Sequence, residues 1–268
     1  MNVAVVTMFY NETVNLPIWV KYYGNIFGRD SLYPIDHGSE QDVRDVTAGC
    51  NYIRIPRSPF NDPRRAAFIS NLQHSLLQMY DYVIYTDCDE LLVADPDNFS
   101  SLKDYISKMS SDYVTSVGLN IQQVVEREAP YDTRHSILDQ RSYCRFVSPM
   151  CKTLISKVPL TWGGGFHTTD KPINIDKNLF LFHTRRMDLD VALKRLKITR
   201  EMSWVSHKAG HHQRVSDDEL KHYFLANNKS LIVDSFDFQR DLDKWESQGS
   251  EFHSNRLLTI PNKFRGLF

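Results

Sequence analysis

Asp81-Tyr-Val-Ile-Tyr-Thr-Asp-Cys-Asp-Glu-Leu-Leu-Val-Ala-Asp95 is the stretch of sequence that decides the fold. Residues 82–86 are apolar, β-branched or aromatic, a composition typical of a buried strand. The strand runs directly into three acids, Asp87, Asp89 and Glu90. Crowded carboxylates repel one another, and each costs several kcal/mol to bury alone. A buried strand that ends in this cluster therefore needs positive charge beside it.

A divalent cation meets that need, because Mg²⁺ and Mn²⁺ prefer oxygen ligands. Asp87 and Asp89 are two residues apart, so in an extended chain both side chains point to one face and Cys88 points to the other. The sequence predicts a metal site at the carboxyl end of this strand, where open α/β sheets bind ligands. A solvated acidic turn is the alternative, because Asp-x-Asp is a common motif.

Strands and helices alternate through the first half of the chain. This pattern predicts an α/β fold, with a Rossmann-like, mostly parallel central sheet and helices on both faces. The sequence lacks Gly-x-Gly-x-x-Gly and Gly-x-x-x-x-Gly-Lys, which disfavours dinucleotide-binding and P-loop folds. The predicted strands are residues 3–8, 32–35, 52–55, 82–86 and 113–119, and the predicted helices are 16–23, 64–79 and 101–109.

The second half of the chain is more irregular. We predict strands at 150–157 and 179–183 and a helix at 188–204. Ser216 and Glu219 have capping-box spacing before an apolar segment, which predicts the start of another helix. A further helix at 240–247 completes a predicted helical C-terminal extension.

Composition excludes several classes of protein. The chain has 268 residues, of which 41% are hydrophobic and 24% charged, with a net charge of −1. This balance argues against broad electrostatic binding to nucleic acid or anionic membrane. No apolar run approaches the ~18 residues of a membrane span. The four cysteines lack zinc-site spacing, and we expect reduced thiols in a cytoplasmic protein.

Four separated motifs then appear in a particular order. Asn11-Glu12 follows the first strand, Asp36-His-Gly-Ser39 follows the second, and Asp87-Cys-Asp-Glu90 follows the fourth. Trp162-Gly-Gly-Gly-Phe-His167 and a strand ending at His183 come later. Over roughly residues 1–205 this order resembles the GT-A glycosyltransferases, in particular their family 2-like group. The chain departs from that pattern where Phe166-His167 stand in place of an acid.

The resemblance implies a transferase that moves a sugar from a nucleotide-sugar donor, a UDP-sugar, to a hydroxyl of a saccharide or glycan acceptor. It implies Mn²⁺ or Mg²⁺ as cofactor and an inverting reaction. Residues 1–120 would form the nucleotide-sugar-binding half and 121–205 the acceptor-binding and metal-completing half of one domain. Residues 206–268 would form the helical extension.

The resemblance also implies roles for individual residues. The departing diphosphate carries about three negative charges, so positive charge must be held near it. For Arg64 and its neighbour Arg65, a solvated first helical turn is the alternative. The implied donor contacts are Thr7, Tyr10 and Glu12 on the pocket wall, Asp36 on the uracil or ribose, Arg64 on the base and phosphates, Asp87 on the ribose and metal, and Asp89 as direct metal ligand.

The later motifs are assigned in the same way. His183 resembles a late metal ligand, with a satisfied histidine at a strand end as the alternative. Trp162 would stack on a sugar, with a core aromatic as the alternative, and Gly164 and Gly165 would line the acceptor site. An inverting transfer needs a base for the acceptor proton. The candidates are His167 and Asp170.

Two other functions remain open from the sequence. The first is an Asp-x-Asp metal-dependent phosphohydrolase or nucleotidyltransferase. A phosphohydrolase with an aspartyl nucleophile normally carries its acid pair after the first strand, with a Thr two residues beyond; here the pair follows the fourth strand and Leu91 occupies that place. The second is a non-catalytic sugar-binding module of the same fold.

Overall fold

The computed structural model describes residues 1–268 apart from the side chain of His212. The chain divides into two compact units. The first comprises residues 1–117 and 151–181, and the second comprises 118–150 and 182–268. These boundaries differ from the predicted division at residues 120 and 205, because each unit is assembled from two separate segments of the chain.

A parallel sheet forms the centre of the first unit. Its strands are β1 (Val3–Phe9), β2 (Leu32–Asp36), β3 (Ile53–Arg54) and β4 (Tyr82–Tyr85), in the order β4-β1-β2-β3. All seven residues of β1 and all four of β4 are buried. Because successive side chains of a strand point to opposite faces, both faces of the sheet are covered.

Two helices connect these strands. The helix α1 (Asn15–Phe27) joins β1 to β2, and α2 (Asp62–Leu76) leads from β3 back past β1 to β4. Because both crossovers join parallel strands but run in opposite directions along the sheet, the right-handed rule places α1 and α2 on opposite faces. The predicted α/β fold, with a central sheet flanked by helices, is confirmed.

Antiparallel strands extend the sheet of the first unit. The strand β8 (Thr153–Ser156) is antiparallel both to β4 and to the first residues of β6 (Tyr113–Ile121). Directly after the acidic turn, β5 (Glu90–Ala94) pairs with β9 (Ile175–His183). The helix α3 (Leu102–Lys108) follows β5. The strand β5 is not predicted from the sequence, because only four residues separate it from β4.

The second unit has its own strands and helices. The strand β7 (Tyr143–Phe146) is antiparallel to residues 119–121 of β6 and to β11 (Arg256–Thr259), which is parallel to β10 (Leu231–Val233). Residues 206–268 therefore contribute two strands besides their helices. The helices are α4 (Ile137–Gln140), α5 (Leu189–Glu201), α6 (Asp217–Asn227) and α7 (Gln239–Gln248).

The predicted capping box at the start of α6 is confirmed. The backbone N–H of Glu219 donates to Ser216 Oγ at 3.2 Å, and the backbone N–H of Ser216 donates to Glu219 Oε2 at 2.7 Å. These bonds satisfy two donors that the first turn of a helix leaves without partners.

No helix in the described part of the chain combines the length and the apolar character needed to cross a bilayer. Three of the four cysteines, Cys88, Cys144 and Cys151, are buried, and Cys50 is partly exposed.

Candidate functional site

The acidic motif forms a tight turn immediately after β4. The backbone N–H of Glu90 donates to the carbonyl of Asp87 at 3.0 Å, which closes the turn. Cys88 is buried, with its Sγ 3.3 Å from Thr7 Oγ1. Asp87 and Asp89 are both partly exposed. Thr7 is itself fully buried, and its side chain contacts Cys88 in the interior of the protein. This position corrects its predicted place on the wall of the nucleotide pocket.

Asp87 is held by a guanidinium and a phenol. Its Oδ1 accepts hydrogen bonds from Arg65 Nη1 at 2.8 Å and from Tyr85 Oη at 2.7 Å. Burial by itself raises the pKa of Asp87, but the positive charges of Arg65 and Lys152 outweigh it and hold that pKa below its usual value. Asp87 is therefore ionised at neutral pH, as a metal ligand must be.

A buried ion pair lies beneath this turn. Lys152 Nζ is 2.5 Å from Glu90 Oε1, and both side chains are almost completely buried. The other oxygen, Glu90 Oε2, accepts the backbone N–H of Asp87 at 3.3 Å. The negative charge of Glu90, the third acid of the motif, is thus neutralised by the buried ammonium group of Lys152. Lys152 lies 62 residues away from Glu90 and carries no local sequence signal that predicts this pairing.

The glycine-rich loop brings an aromatic ring to the same place. Phe166 is fully buried, and its ring centroid lies 4.0 Å from that of Tyr85. The Arg65 guanidinium lies 4.9 Å from the Phe166 ring centroid, within the range of a cation–π contact. Gly165 has φ +65° and Phe166 has φ +59°. The glycine therefore supplies a left-handed backbone that allows the loop to turn Phe166 inward.

Gly164 lies beside the start of α2. A Cβ placed on Gly164 would lie 3.6 Å from Asp62 Oδ2, and one placed on Gly165 would lie 3.5 Å from the same atom. These glycines thus allow the loop to approach α2 closely. Their predicted contact with an acceptor stays a prediction.

Trp162 is a core aromatic. Its side chain is almost completely buried, its indole N–H donates to the carbonyl of Thr153 at 2.9 Å, and its backbone N–H donates to Ser70 Oγ at 3.0 Å. A stacking platform needs an open ring face. The predicted sugar contact of Trp162 is therefore corrected: the indole supports Tyr85 and Phe166.

The two candidate bases differ in their surroundings. Asp170 Oδ1 accepts the backbone N–H of Thr161 at 2.8 Å, and Lys171 Nζ lies 3.2 Å from the other oxygen. The backbone bond and the lysine hold the pKa of Asp170 below its usual value. A general base works best with a pKa near the working pH, which favours Asp170 less, and its predicted role stays a prediction. His167 is exposed and packs beside Gly165, and it stays the candidate base.

Glu12 caps α1. Its Oε1 accepts the backbone N–H groups of Val14 at 3.3 Å and Asn15 at 3.0 Å, donors that the helix leaves unsatisfied. Beside it, Tyr10 is partly exposed, and the guanidinium of Arg57 lies 3.8 Å from its ring centroid. Glu12 therefore stabilises the start of α1, and the predicted nucleotide contacts of Glu12 and Tyr10 stay predictions.

Asp36 is also committed to the protein interior. Its side chain is fully buried, and Oδ1 accepts the backbone N–H of Ser39 at 2.6 Å. Oδ2 accepts hydrogen bonds from Tyr52 Oη at 2.7 Å and Arg54 Nη1 at 2.8 Å. Asp36 therefore stabilises the turn after β2, which corrects its predicted contact with a uracil or ribose.

An open cleft of about 320 Å³ lies at the carboxyl ends of β1, β2 and β3, beside the first turn of α2. Arg64 is exposed and Arg65 partly exposed, and both lie in that turn, which Asn61 caps. The N-terminus of a helix and two guanidinium groups favour anions. The lining is mainly apolar with a few cationic and polar groups: Met8, His37, Ile55, Pro56, Ser58, Pro59, Phe60, Asn61, Arg64, Arg65 and Phe68.

His37 is a cleft residue with an altered proton affinity. Its Nε2 lies 2.9 Å from Ser58 Oγ, and Arg57 Nη1 lies 3.0 Å from its Nδ1. Burial, followed by the charge of Arg57, lowers the pKa of His37. The imidazole in the cleft is therefore neutral at physiological pH.

The predicted metal ligands fall into both units. Asp87 and Asp89 belong to the first unit, while His183 belongs to the second, where its Nδ1 lies 2.8 Å from Asn120 Oδ1. Among the described residues, no group of three or more His, Cys, Asp or Glu side chains is arranged to hold a metal ion. Two adjacent carboxylates still fit Mg²⁺ or Mn²⁺, because such ions commonly complete their shell with water and substrate phosphates.

Comparisons with known proteins show which solved structures this chain resembles. No protein-family model matches it, and no curated protein matches it. A mannose-1-phosphate geranyltransferase from Thermus thermophilus aligns with 83% of this chain and 68% of its own, at 11% identity and a TM-score of 0.31. A CMP:2-keto-3-deoxy-manno-octonic acid synthetase complexed with CTP aligns with 84% and 87%, at 11% identity and a TM-score of 0.30. Similarity at this level assigns no function.

Proposed function

We propose that this protein is a metal-dependent GT-A-type glycosyltransferase, which moves a sugar from a UDP-sugar to a hydroxyl of a saccharide or glycan. One observation carries the proposal. Arg65 both lines the cleft and pairs with the ionised Asp87 at the carboxyl end of β4. The neighbouring strand β1 is the point where the chain reverses direction across the sheet, which is the usual ligand position in such folds.

The cleft suits a nucleoside diphosphate. Its apolar walls, which include Phe60 and Phe68, offer surface to a planar base. The exposed guanidinium of Arg64 and the first turn of α2 offer charge-assisted hydrogen bonds to phosphate oxygens. Both features lie in one cleft of the first unit, so one ligand can use them together.

Asp87 and Asp89 would hold the Mg²⁺ or Mn²⁺ ion. When bound, the ion offsets the negative charge of the diphosphate as it leaves. Arg65 and Tyr85 fix the Asp87 carboxylate, while Lys152 neutralises Glu90 beneath it. His167 would take the proton from the acceptor hydroxyl, since a neutral imidazole accepts protons near pH 7.

Calorimetric titration of UDP with and without Mn²⁺ tests the binding half of the proposal. We expect Mn²⁺ to strengthen UDP binding to the wild type, and Asp89→Ala to abolish that gain. Asp112→Asn is the matched control, because Asp112 is an exposed acid of the same unit that pairs with Lys157. Binding of UDP that ignores both Mn²⁺ and Asp89→Ala would contradict the proposed site.

The products of turnover separate the candidate reactions. A glycosyltransferase releases UDP from a UDP-sugar and leaves an acceptor heavier by one sugar, which mass spectrometry detects. A nucleotidyltransferase releases pyrophosphate from UTP and a sugar phosphate, and a phosphohydrolase releases inorganic phosphate. A sugar-binding module binds the UDP-sugar without consuming it.

A further inference from the structure

Three polar side chains contact one another in sequence along the wall of the cleft in the first unit. Arg57 Nη1 lies 3.0 Å from His37 Nδ1, and His37 Nε2 lies 2.9 Å from Ser58 Oγ. His37 and Ser58 both line the cleft, and both are partly exposed. Because a guanidinium, an imidazole and a hydroxyl differ in what they can donate, this order determines where each proton lies.

The guanidinium fixes the position of the imidazole proton. Arg57 carries only donors, so His37 Nδ1 must be the acceptor of the bond between them. A neutral imidazole has a single N–H, which must then lie on Nε2. Arg57 is itself held in place, since its guanidinium lies 3.8 Å from the ring centroid of Tyr10.

One contact favours the opposite tautomer. The backbone N–H of Ser58 points towards His37 Nε2 at 3.2 Å, and a proton on that nitrogen excludes this bond. The bond from Arg57 is shorter and has a charged donor, and charge-assisted hydrogen bonds are roughly twice as strong as neutral ones. A proton on Nδ1 would also face a cation. The balance therefore places the proton on Nε2.

The position of that proton determines what the Ser58 hydroxyl can do. The Nε2–H group donates to Ser58 Oγ, so the hydroxyl is an acceptor towards His37 and its own proton points elsewhere. In the described part of the chain, His37 is the one hydrogen-bond partner of Ser58 Oγ. Because Ser58 lines the cleft, its proton can reach an acceptor on a ligand that binds there.

We propose, resting on the proposed function, that Ser58 determines specificity by donating a hydrogen bond to a carbonyl oxygen of the pyrimidine base in the cleft. Its neighbours in the lining include Ile55 and Pro59, whose apolar surface suits a base. The phosphates are instead drawn to Arg64 and the first turn of α2. His37 is a positioning residue, because it acts through the Ser58 hydroxyl.

Calorimetry of the full chain with three nucleotides tests the proposed hydrogen bond. The probes are UDP, 2-thio-UDP and 4-thio-UDP, each with Mn²⁺, and each analogue replaces one carbonyl oxygen by sulfur, a weak acceptor. Ser58→Ala should weaken UDP binding about fivefold, which corresponds to about 1 kcal/mol. The same substitution should have little effect on the analogue whose sulfur replaces the oxygen that Ser58 contacts. Ser75→Ala, at an exposed serine of α2 outside the cleft, should leave all three affinities unchanged.

An unchanged UDP affinity in Ser58→Ala overturns the proposed role of Ser58. An equal loss of affinity for all three nucleotides also overturns it, because the hydroxyl would then contact the ribose or the phosphates. Neither result contradicts the proposed function, which predicts UDP binding that depends on Mn²⁺ and Asp89. A wild type that does not bind UDP contradicts both. Thermal unfolding establishes whether Ser58→Ala is folded.

Nitrogen NMR of the full chain tests the tautomer without any nucleotide. At neutral pH the ring of His37 should show an unprotonated Nδ1 and a protonated Nε2, with the signals assigned by their loss in His37→Gln. A proton on Nδ1 would overturn the proposed role of Ser58 even if UDP binds, because Ser58 would then donate to the imidazole. The tautomer decides the outcome if Ser58→Ala does not fold.

Discussion

Arg65 serves three partners with one side chain. Its guanidinium pairs with Asp62 at 3.0 Å and with Asp87 at 2.8 Å, and it lies over the ring of Phe166. A planar group with five donors can satisfy two carboxylates and an aromatic face together, which a lysine ammonium cannot. Burial alone lowers the pKa of Arg65, but the charge of Asp87 leads a set of interactions that raise it overall. The guanidinium therefore stays charged.

Replacing Arg65 tests this arrangement. Arg65→Met leaves Asp87 charged, mostly buried and without its cation, so we expect a loss of about 3 kcal/mol in the free energy of unfolding measured in urea. Arg64→Met is the matched control. Because Arg64 is the exposed neighbour of Arg65, its replacement should change the free energy of unfolding by less than about 0.5 kcal/mol. Adding Asp87→Asn to Arg65→Met should recover part of the loss. Equal effects of the two arginine variants would mean that the ion pair contributes nothing.

His37 makes stability depend on pH. Its pKa is lowered in the folded state, so as pH falls below about 6.5 the unfolded chain takes up a proton before the folded chain does. Stability from this group is complete above pH 6.5 and decreases as pH falls through the folded pKa. We therefore expect His37→Gln to lose less stability than the wild type between pH 7.5 and 5.0 in urea unfolding. His135→Gln, an exposed histidine, is the control that should follow the wild-type curve.

At the scale of elements, the loop at residues 163–168 shows how a glycine shapes the site. The 3₁₀ turn Gly164–Phe166 contains Gly165 with φ +65°, and a Cβ there would lie 2.5 Å from the His167 ring. Gly249, which ends α7, has φ +62° with nothing within 4 Å of an added Cβ. Gly165 and Gly249 together therefore separate the free-energy cost of the left-handed backbone from the cost of contact between an added Cβ and a neighbouring side chain.

Alanine at the two glycines should give different losses of stability. Gly249→Ala should cost about 1 kcal/mol, the penalty of a left-handed backbone for a residue with a side chain. Gly165→Ala should cost more, because the His167 ring must move as well. The measurement is urea unfolding, with the imidazole NMR signals of His167 as a second reading. Equal losses of stability in the two variants would show that the His167 ring moves aside at no cost in free energy.

Local sequence signals predicted elements well where the signal was complete within the element. The buried run of β1 and the capping box of α6 both rest on neighbours within a few residues. The strands β5, β7, β10 and β11 have three to five residues each and owe their formation to partners distant in sequence. Their propensity alone is too weak to predict them.

The same distinction between local signals and distant partners applies to the residues of the candidate site. The position of Asp87 at the carboxyl end of β4 was predicted from the strand and the acids that follow it, and Asp87 there pairs with Arg65. The interior positions of Asp36 and Trp162 were not predicted, because their partners Arg54 and Thr153 are set by the tertiary fold. A polar residue near a motif indicates a site only if the fold leaves it a free face.

At the scale of the whole molecule, charges of both signs nearly cancel. The chain has 32 Lys and Arg against 33 Asp and Glu, and its pI is about 6.8. Small net charge removes the repulsion that keeps molecules apart in solution.

Solubility should therefore reach its minimum near neutral pH. We expect the polyethylene glycol concentration that precipitates half of the protein to be lowest near pH 6.8 and higher at pH 8.5. Lys103→Glu, at an exposed position of α3, changes the net charge by two and should move the minimum to lower pH. A precipitation point that does not vary with pH would show that association is governed by apolar contacts instead.

The uneven burial of the four thiols has a practical consequence. Cys50 alone is partly exposed among them, and burial, partly opposed by the charge of Arg29, raises its pKa. A maleimide dye should therefore attach at one place, and faster under mildly alkaline conditions, where the thiolate fraction grows. Cys50 precedes the amino end of β3, and the cleft borders the carboxyl end of that strand, so the dye would leave the cleft lining unmodified. A single fluorophore can therefore be attached to the first unit without any engineered cysteine.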